Sequence, residues 1–198
     1  MKFKWTNIHT SILCLALLAG IGGFMLYLKL RRFRHDVDEI IEVATTQTSD
    51  NMEMKKPHES YNLKVRGYRN NNPLNIRISN NNWKGEIKPS TDGSFCQFQE
   101  MYLGFRAAMV CIRTYIRKYG CNTLEKIINR WAPWSDGNNP IRYAQRIINR
   151  WPETFPDKEV VIDYTNKDQM TKLVYAMAIV ENGSEPYMPD CIQAFNNI

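Results

Sequence analysis

The sequence predicts a mainly helical α+β domain with a small antiparallel β-sheet, preceded by a single N-terminal transmembrane helix. Residues 172–183 are apolar on nearly every face at helical spacing, as in a core helix. Residues 70–98 alternate short apolar-polar runs with asparagine-rich turns, and residues 11–28 carry no charge. A hydrophobic content of 43% and an aromatic content of 12% suffice for a packed core and exclude a wholly disordered chain.

The apolar segment from Ser11 to Leu28 is at the short end of what spans a bilayer. It runs directly into a basic cluster, which favours a retained anchor over a cleaved signal peptide. Two basic residues precede it and four follow it, which favours a cytoplasmic C-terminal domain. We predict an N-terminal flank (1–10), a transmembrane helix or signal-anchor (11–28), a basic then acidic juxtamembrane linker (29–60) and one domain (61–198).

The formal net charge of +6 is unevenly distributed along the chain. Residues 35–60 carry seven acidic and two basic side chains, whereas residues 61–198 carry thirteen acidic and eighteen basic ones. A basic domain suits an anionic partner such as cell wall, a membrane surface or nucleic acid. The basic residues are dispersed without a nucleic-acid-binding motif, so we expect no nucleic-acid partner.

The cysteines and histidines do not form a metal-binding pattern. No Cys-x-x-Cys pair occurs, and His9, His35 and His58 all precede the predicted domain. We therefore expect no zinc site and no cofactor. The domain cysteines either form two disulfides in an oxidising compartment or remain small buried apolar residues. They are Cys96, Cys111, Cys121 and Cys191.

The predicted sheet has three short strands. Asn70–Asn72 before a proline signal a tight turn, because asparagine side chains mimic backbone turns. Leu74–Ile78 alternates apolar and polar residues, as a strand does. Trp83–Ile87 is the expected return strand, and Phe95–Phe98 follows an Asp-Gly turn as the third.

The rest of the domain is predicted to be helical. Gly120 ends the first helix and Thr123 caps the second, while prolines and glycines mark the loops between helices. Val160–Ile162 is a short extended run. The predicted helices cover Leu103–Tyr119, Leu124–Trp131, Ile141–Trp151, residues 166–182 and residues 190–196.

Glu181 lies at the end of the predicted core helix, where Gly183 supplies a left-handed stop. Glutamates are rarely packed against a core unless a partner or a reaction uses them. A carboxyl group in that place has the surroundings that a general acid needs. The alternative is a surface glutamate that merely closes a helix.

Several stretches together resemble a known family. They read RNNNPLNIR, WKG, GSFCQFQEMYLGFRAAMVCIRTYIRKYG, NTLEKIINRWAP and AMAIVENG, in this order along the predicted domain. Their order is similar to that in a family found in phages and prophages, whose members are described as virion structural or lysozyme-like proteins. The resemblance implies a lysozyme-like fold for residues 61–198.

A more distant resemblance is to bacterial N-acetylglucosaminidases of the flagellar peptidoglycan-hydrolase type. Their N-L-F-G-I-K strand, Trp-x-Gly and Phe-Arg-x-Tyr strand precede a helix, and Asn72–Arg77, Trp83–Gly85 and Phe95–Phe98 stand here in the same order. Their catalytic glutamate ends a helix placed before the hairpin, whereas Glu181 comes after it. The resemblance therefore implies a circularly permuted lysozyme-like fold.

By this resemblance the substrate is the glycan strand of peptidoglycan and Glu181 is the proton donor. Glycoside cleavage commonly needs a second carboxylate, for which Glu86 and Asp92 on the predicted hairpin are the candidates. Each is more typical of a solvated turn residue. A lytic transglycosylase needs only one carboxyl group, because a hydroxyl of the sugar itself acts as the nucleophile.

Polar and aromatic side chains near the predicted sheet and loops suit a sugar. Amide and guanidinium groups bind hydroxyl and N-acetyl groups, and tryptophans stack on pyranose faces. The same asparagines also suit turns, and Trp83 and Trp131 also suit the core, whereas Trp134 lies in a polar loop. The candidate substrate-binding residues are Asn72, Asn75, Arg77, Trp83, Gln97 and Trp134, with Trp131 as a further stacking residue.

Three functional hypotheses follow. The first is a membrane-anchored, lysozyme-like enzyme that acts on peptidoglycan, with its domain on the cell-wall side despite the basic flanks. The second is a non-catalytic phage or prophage protein, either structural or cell-wall-binding. The third is a basic nucleic-acid-binding module. Glu181 in a groove beside Asn75, Arg77 and Glu86 would favour the enzyme, whereas a structural arginine partner far from any cleft would favour the second hypothesis.

Overall fold

The computed structural model of the protein describes residues 54–198. The predicted N-terminal flank, the transmembrane helix or signal-anchor at 11–28 and most of the linker lie outside the described residues. Within 54–198, none of the helices combines the length and hydropathy that crossing a bilayer requires.

The described region is mainly helical with a small antiparallel sheet, which confirms the predicted class at that level. Helices surround one hydrophobic core, and the two strands lie at its edge. In chain order the elements are α1 (Arg66–Arg69), β1 (Glu86–Ile87), β2 (Gln97–Phe98), α2 (Met101–Tyr119), α3 (Leu124–Trp131), a 3-10 helix (Trp134–Asp136), α4 (Pro140–Arg150), α5 (Lys167–Asn182) and α6 (Met188–Phe195).

Helix α5 is the central helix of the core, as its sequence predicts. Eight consecutive or nearly consecutive side chains between Met170 and Ala178 are buried. The Asn166 side chain caps its start by accepting the backbone N–H of Gln169 at 3.1 Å. Gly183 ends it with φ +71°, a left-handed conformation that glycine adopts without steric cost.

The sheet is smaller than predicted. β1 and β2 pair antiparallel, Glu86 with Phe98 and Ile87 with Gln97. The predicted strand Leu74–Ile78 contributes only one bridge, between Arg77 and Phe95. The reason is Asn75, whose φ of +50° lies in the left-handed region and interrupts an extended chain.

The helical predictions agree closely with the structure. Thr123 caps α3, its hydroxyl accepting the N–H of Lys126 at 3.4 Å, and Asn139 caps α4 ahead of Pro140. The single turn α1 and the 3-10 helix were not predicted. All four cysteines of the described region are free thiols, so the disulfide alternative is wrong here.

Substitution of Gly104 by alanine tests how closely α2 packs on the asparagine turn. A Cβ at this position would collide with the carbonyl oxygen of Asn71 and the ring of Pro73. Helix propensity alone predicts that Gly104→Ala stabilises the fold by about 1 kcal/mol. We expect destabilisation by about 1–3 kcal/mol instead, because the turn has to move. Urea unfolding of both proteins measures the sign, and a gain in stability would contradict the close packing.

Candidate active site

The carboxylate of Glu181 lies in a cleft of about 380 Å³. One wall is the segment from Leu74 to Arg77, which follows the asparagine turn. The lining also includes residues of α2, the end of α3 and the loop that leads to α4. Glu181 lies in the last turn of α5, and this turn leaves the core at the cleft.

Three neutral groups donate hydrogen bonds to Glu181. Tyr143 O–H reaches Oε1 at 3.0 Å, Trp131 Nε1–H reaches the same oxygen at 3.3 Å, and Asn75 Nδ2–H reaches Oε2 at 3.2 Å. Within residues 54–198 the carboxylate has no ion pair. Donors from three separate segments therefore fix its orientation without neutralising it.

The surroundings of Tyr143 keep its hydroxyl group protonated, so that this group acts as a hydrogen-bond donor. Tyr143 projects from α4 towards α5 and is only 7% exposed. Burial raises the pKa of its phenol well above the usual value, and the nearby charge of Glu181 raises it further. The phenol thus keeps its proton throughout the neutral range and points it at the carboxylate.

Asn75 reaches Glu181 because the preceding asparagines shape its loop. Asn72 is fully buried, and its Nδ2 group donates to the carbonyls of Ile76 and Cys96, both at 2.9 Å. Its Oδ1 accepts the N–H of Ile76 at 2.9 Å. Asn72, a predicted substrate-binding residue, therefore braces the loop from behind and does not line the cleft.

Three of the predicted sugar-binding residues line the cleft with Glu181, namely Asn75, Arg77 and the stacking candidate Trp131. Gln97 lies elsewhere, in a buried network in which its Nε2 group donates to Asn70 at 3.2 Å and to Thr91 at 3.0 Å. Trp83 packs partly buried against the core.

The two carboxylates that were predicted as possible partners of Glu181 make structural contacts elsewhere. Glu86 has a side chain only 4% exposed, accepts the N–H of Trp83 at 3.2 Å and pairs with Lys88 at 3.3 Å. Asp92 accepts from Asn70 at 2.8 Å, which with the Arg66 charge lowers the pKa of this carboxyl group. Neither residue lines the cleft that contains Glu181.

The loop between α3 and α4 contributes residues that the sequence did not single out. Asp136 and Asn138 line the Glu181 cleft, so Asp136 is the second carboxylate of the cleft wall. Trp134, from the same loop, is 57% exposed and lines a separate pocket of about 490 Å³ between α3 and α4. Cys111 also lines the cleft, but burial raises the pKa of its thiol to about 11 and leaves it uncharged at neutral pH.

The sequence analysis singled out one of the two aromatic donors to Glu181 and missed the other. Trp131 was a stacking candidate, and Tyr143 was not singled out. The only sequence signal for Tyr143 is its place on the apolar face of an amphipathic helix, which most core tyrosines share.

Together, the fold and the site define a mainly helical α+β domain with a helix-terminal carboxylate in a polar cleft. No protein-family model matches the chain. Protein P5 of Pseudoalteromonas phage PM2 is 36% identical to it over 135 residues, which cover 67% of this chain and 80% of that protein. The chain belongs to the same family as Protein P5. It is thus a phage-related protein, which confirms that part of the predicted resemblance.

Proposed function

We propose that the protein cleaves glycan strands of peptidoglycan, with Glu181 as the general acid. The observation that carries the proposal is the setting of Glu181, a carboxyl group oriented by three neutral donors and open to a cleft. Asn75, Arg77 and Asn138 supply polar groups for sugar hydroxyls and N-acetyl groups along that cleft. The family relationship supports a role on the phage side of an encounter with a bacterial envelope.

The chemistry that we propose requires Glu181 to carry a proton when the glycan is bound. Its carboxyl group gives this proton to the glycosidic oxygen while the bond from that oxygen to the anomeric carbon breaks. The anomeric carbon is then captured either by a hydroxyl of the same sugar, which gives an anhydro end, or by water, which gives a reducing end. The attacking hydroxyl or water loses one proton, to the Glu181 carboxylate in the first case and to a second carboxylate in the other, which balances the charge.

Asp136 is the carboxylate that would accept a proton from water in the second case. It replaces Glu86 and Asp92 in this proposal, because Glu86 is paired with Lys88 and Asp92 is bound to Asn70 of the asparagine turn. The first case requires only Glu181.

The proposal also includes a specific fold for the domain and a membrane anchor ahead of it. A circularly permuted lysozyme-like fold is supported by the contact of Glu181 with Asn75, which links the last core helix to the segment ahead of the sheet. The apolar segment 11–28 would serve as the membrane anchor, with the domain on the cell-wall side, where its substrate is.

The second candidate is a phage structural or cell-wall-binding protein without catalysis. The specific observation in its favour is that Glu86 and Asp92, the predicted second carboxylates, make contacts that stabilise the fold. The same cleft would then retain a glycan without cutting it.

Incubation of the full-length protein with purified peptidoglycan separates the two functions. We expect soluble muropeptides to appear, and mass spectrometry of their ends distinguishes anhydro from reducing products. Peptidoglycan that sediments with bound protein but releases no fragments would support the non-catalytic function and overturn the enzyme.

Replacement of Tyr143 by phenylalanine tests how Glu181 is positioned. The variant keeps the buried ring and loses one of the three hydrogen bonds to the carboxylate. We expect kcat to fall about tenfold with an unchanged KM and an unchanged thermal midpoint, since orientation and not binding is impaired. Tyr175→Phe is the control, because its hydroxyl bonds Glu185 at 3.1 Å outside the cleft. Equal kcat values for Tyr143→Phe and the unaltered protein would exclude this positioning role.

A further inference from the structure

Two arginines are held by aromatic rings, one in the lining of the Glu181 cleft and one stacked on a tyrosine of that lining. Arg77 lines the cleft with its Cζ atom 5.3 Å from the ring centre of Phe95. Arg130 of α3 lies 3.7 Å from the ring centre of Tyr119 and 5.0 Å from that of Tyr115, which lines the cleft. Stacking fixes where both guanidinium groups lie.

Neither guanidinium group is neutralised within residues 54–198. Arg66 shares the Phe95 ring with Arg77, but it is paired with Asp92 at 3.6 Å. Arg150 also stacks on an aromatic ring, and it is paired with Glu185 at 2.8 Å. For Arg77 and Arg130 no carboxylate of the described chain lies within ion-pair distance. The cleft thus has one exposed, uncompensated positive charge in its lining, Arg77, and a second, Arg130, beside its lining residue Tyr115.

A stacked guanidinium group keeps its N–H edge available. The ring covers the flat face, whereas the donors project in the plane of the group, where they match a carboxylate with two parallel hydrogen bonds. Neutral sugar hydroxyls do not require a full charge. Two such charges, one in the cleft lining and one beside it, suit a polymer that presents negative groups at intervals.

We propose that the cleft selects a glycan that carries carboxylate substituents, with Arg77 and Arg130 each binding one carboxylate. The inference rests on the proposed glycan-cleaving function and specifies its substrate. In peptidoglycan such carboxylates have two sources, the lactyl group of the sugar and the attached stem peptides.

Binding measurements test this selection independently of cleavage. The full-length Glu181→Gln variant is titrated with three soluble glycans of equal length, so that no ligand is consumed. The first retains its stem peptides, the second is stripped of peptides and has free lactyl carboxylates, and the third is the stripped glycan with its carboxylates converted to neutral amides.

We expect at least one acidic glycan to bind about tenfold more tightly than the neutral one, and the tighter of the two acidic glycans identifies the source of the carboxylate. Adding Arg77→Gln and Arg130→Gln should remove this preference, so that the double variant binds all three glycans with similar affinity, and an unchanged thermal midpoint shows that the variant is folded. Arg142→Gln, an exposed arginine of α4, is the matched control and should keep the preference.

Equal affinities for the three glycans, or a preference that survives in the double arginine variant, would overturn the proposal. Either result leaves the proposed cleavage untouched, because cleavage is measured separately with unaltered Glu181. Conversely, a protein that cuts nothing but prefers carboxylate-bearing glycans would retain this selectivity as a binding property.

Discussion

Replacement of Glu181 by glutamine should abolish glycan cleavage while the protein stays folded. Glutamine has the same shape and can still accept hydrogen bonds from Tyr143 and Trp131, but it has no acidic proton to give to the leaving oxygen. General acid catalysis contributes about 10²–10⁴-fold to a rate, so we expect a loss of about 10³-fold in the release of soluble fragments.

The loss should be specific to this carboxyl group. Glu159→Gln removes a carboxylate that is 61% exposed and lies outside the cleft, and it should leave the rate unchanged. Thermal unfolding of both variants checks the fold. A folded Glu181→Gln protein that releases fragments at the unaltered rate would exclude Glu181 as the acid and require another donor in the cleft.

Replacement of Asn72 by alanine should cost more stability than other substitutions in the turn. Its side chain makes three buried hydrogen bonds, to the N–H and carbonyl of Ile76 and to the carbonyl of Cys96. Without it these backbone groups lose their partners away from solvent. A buried unsatisfied group costs about 1–3 kcal/mol, so we expect a loss of roughly 3 kcal/mol in the free energy of unfolding.

Urea denaturation measures this loss, with Asn80→Ala in an exposed turn as the control that should change stability by less than about 0.5 kcal/mol. A folded Asn72→Ala protein should also lose activity, because the loop that carries Asn75 is no longer braced. Unchanged stability would show that the turn does not depend on this side chain, and would return Asn72 to the candidates for substrate binding.

The elements that were predicted well depend on local signals. Gly183, Thr123 and Asn166 each end or begin a helix through contacts with residues three or four positions away. The strand at Leu74–Ile78 was overestimated because the alternation of apolar residues concealed the left-handed backbone of Asn75. Asparagine is enriched in that conformation, but its presence does not require it.

The candidate site was only partly predictable for a related reason. The place of Glu181 at the end of a core helix follows from the local pattern. Its contacts with Trp131 and Tyr143 span 50 and 38 residues of chain, and no periodicity indicates which aromatic side chain meets which acid. The same limit applies to Asp136, which enters the cleft on a loop whose path depends on how α3 and α4 pack.

The bond from Asn75 to Glu181 joins residues 106 positions apart, near opposite ends of the described region. Asn182 strengthens this junction by donating to the carbonyl of Pro73 at 2.6 Å. Contacts so distant in sequence form late, because the entropy of closing the intervening chain has to be overcome first. The cleft is therefore complete only when helix α5 has docked. A nascent or truncated chain that ends before residue 166 lacks both Glu181 and the complete cleft.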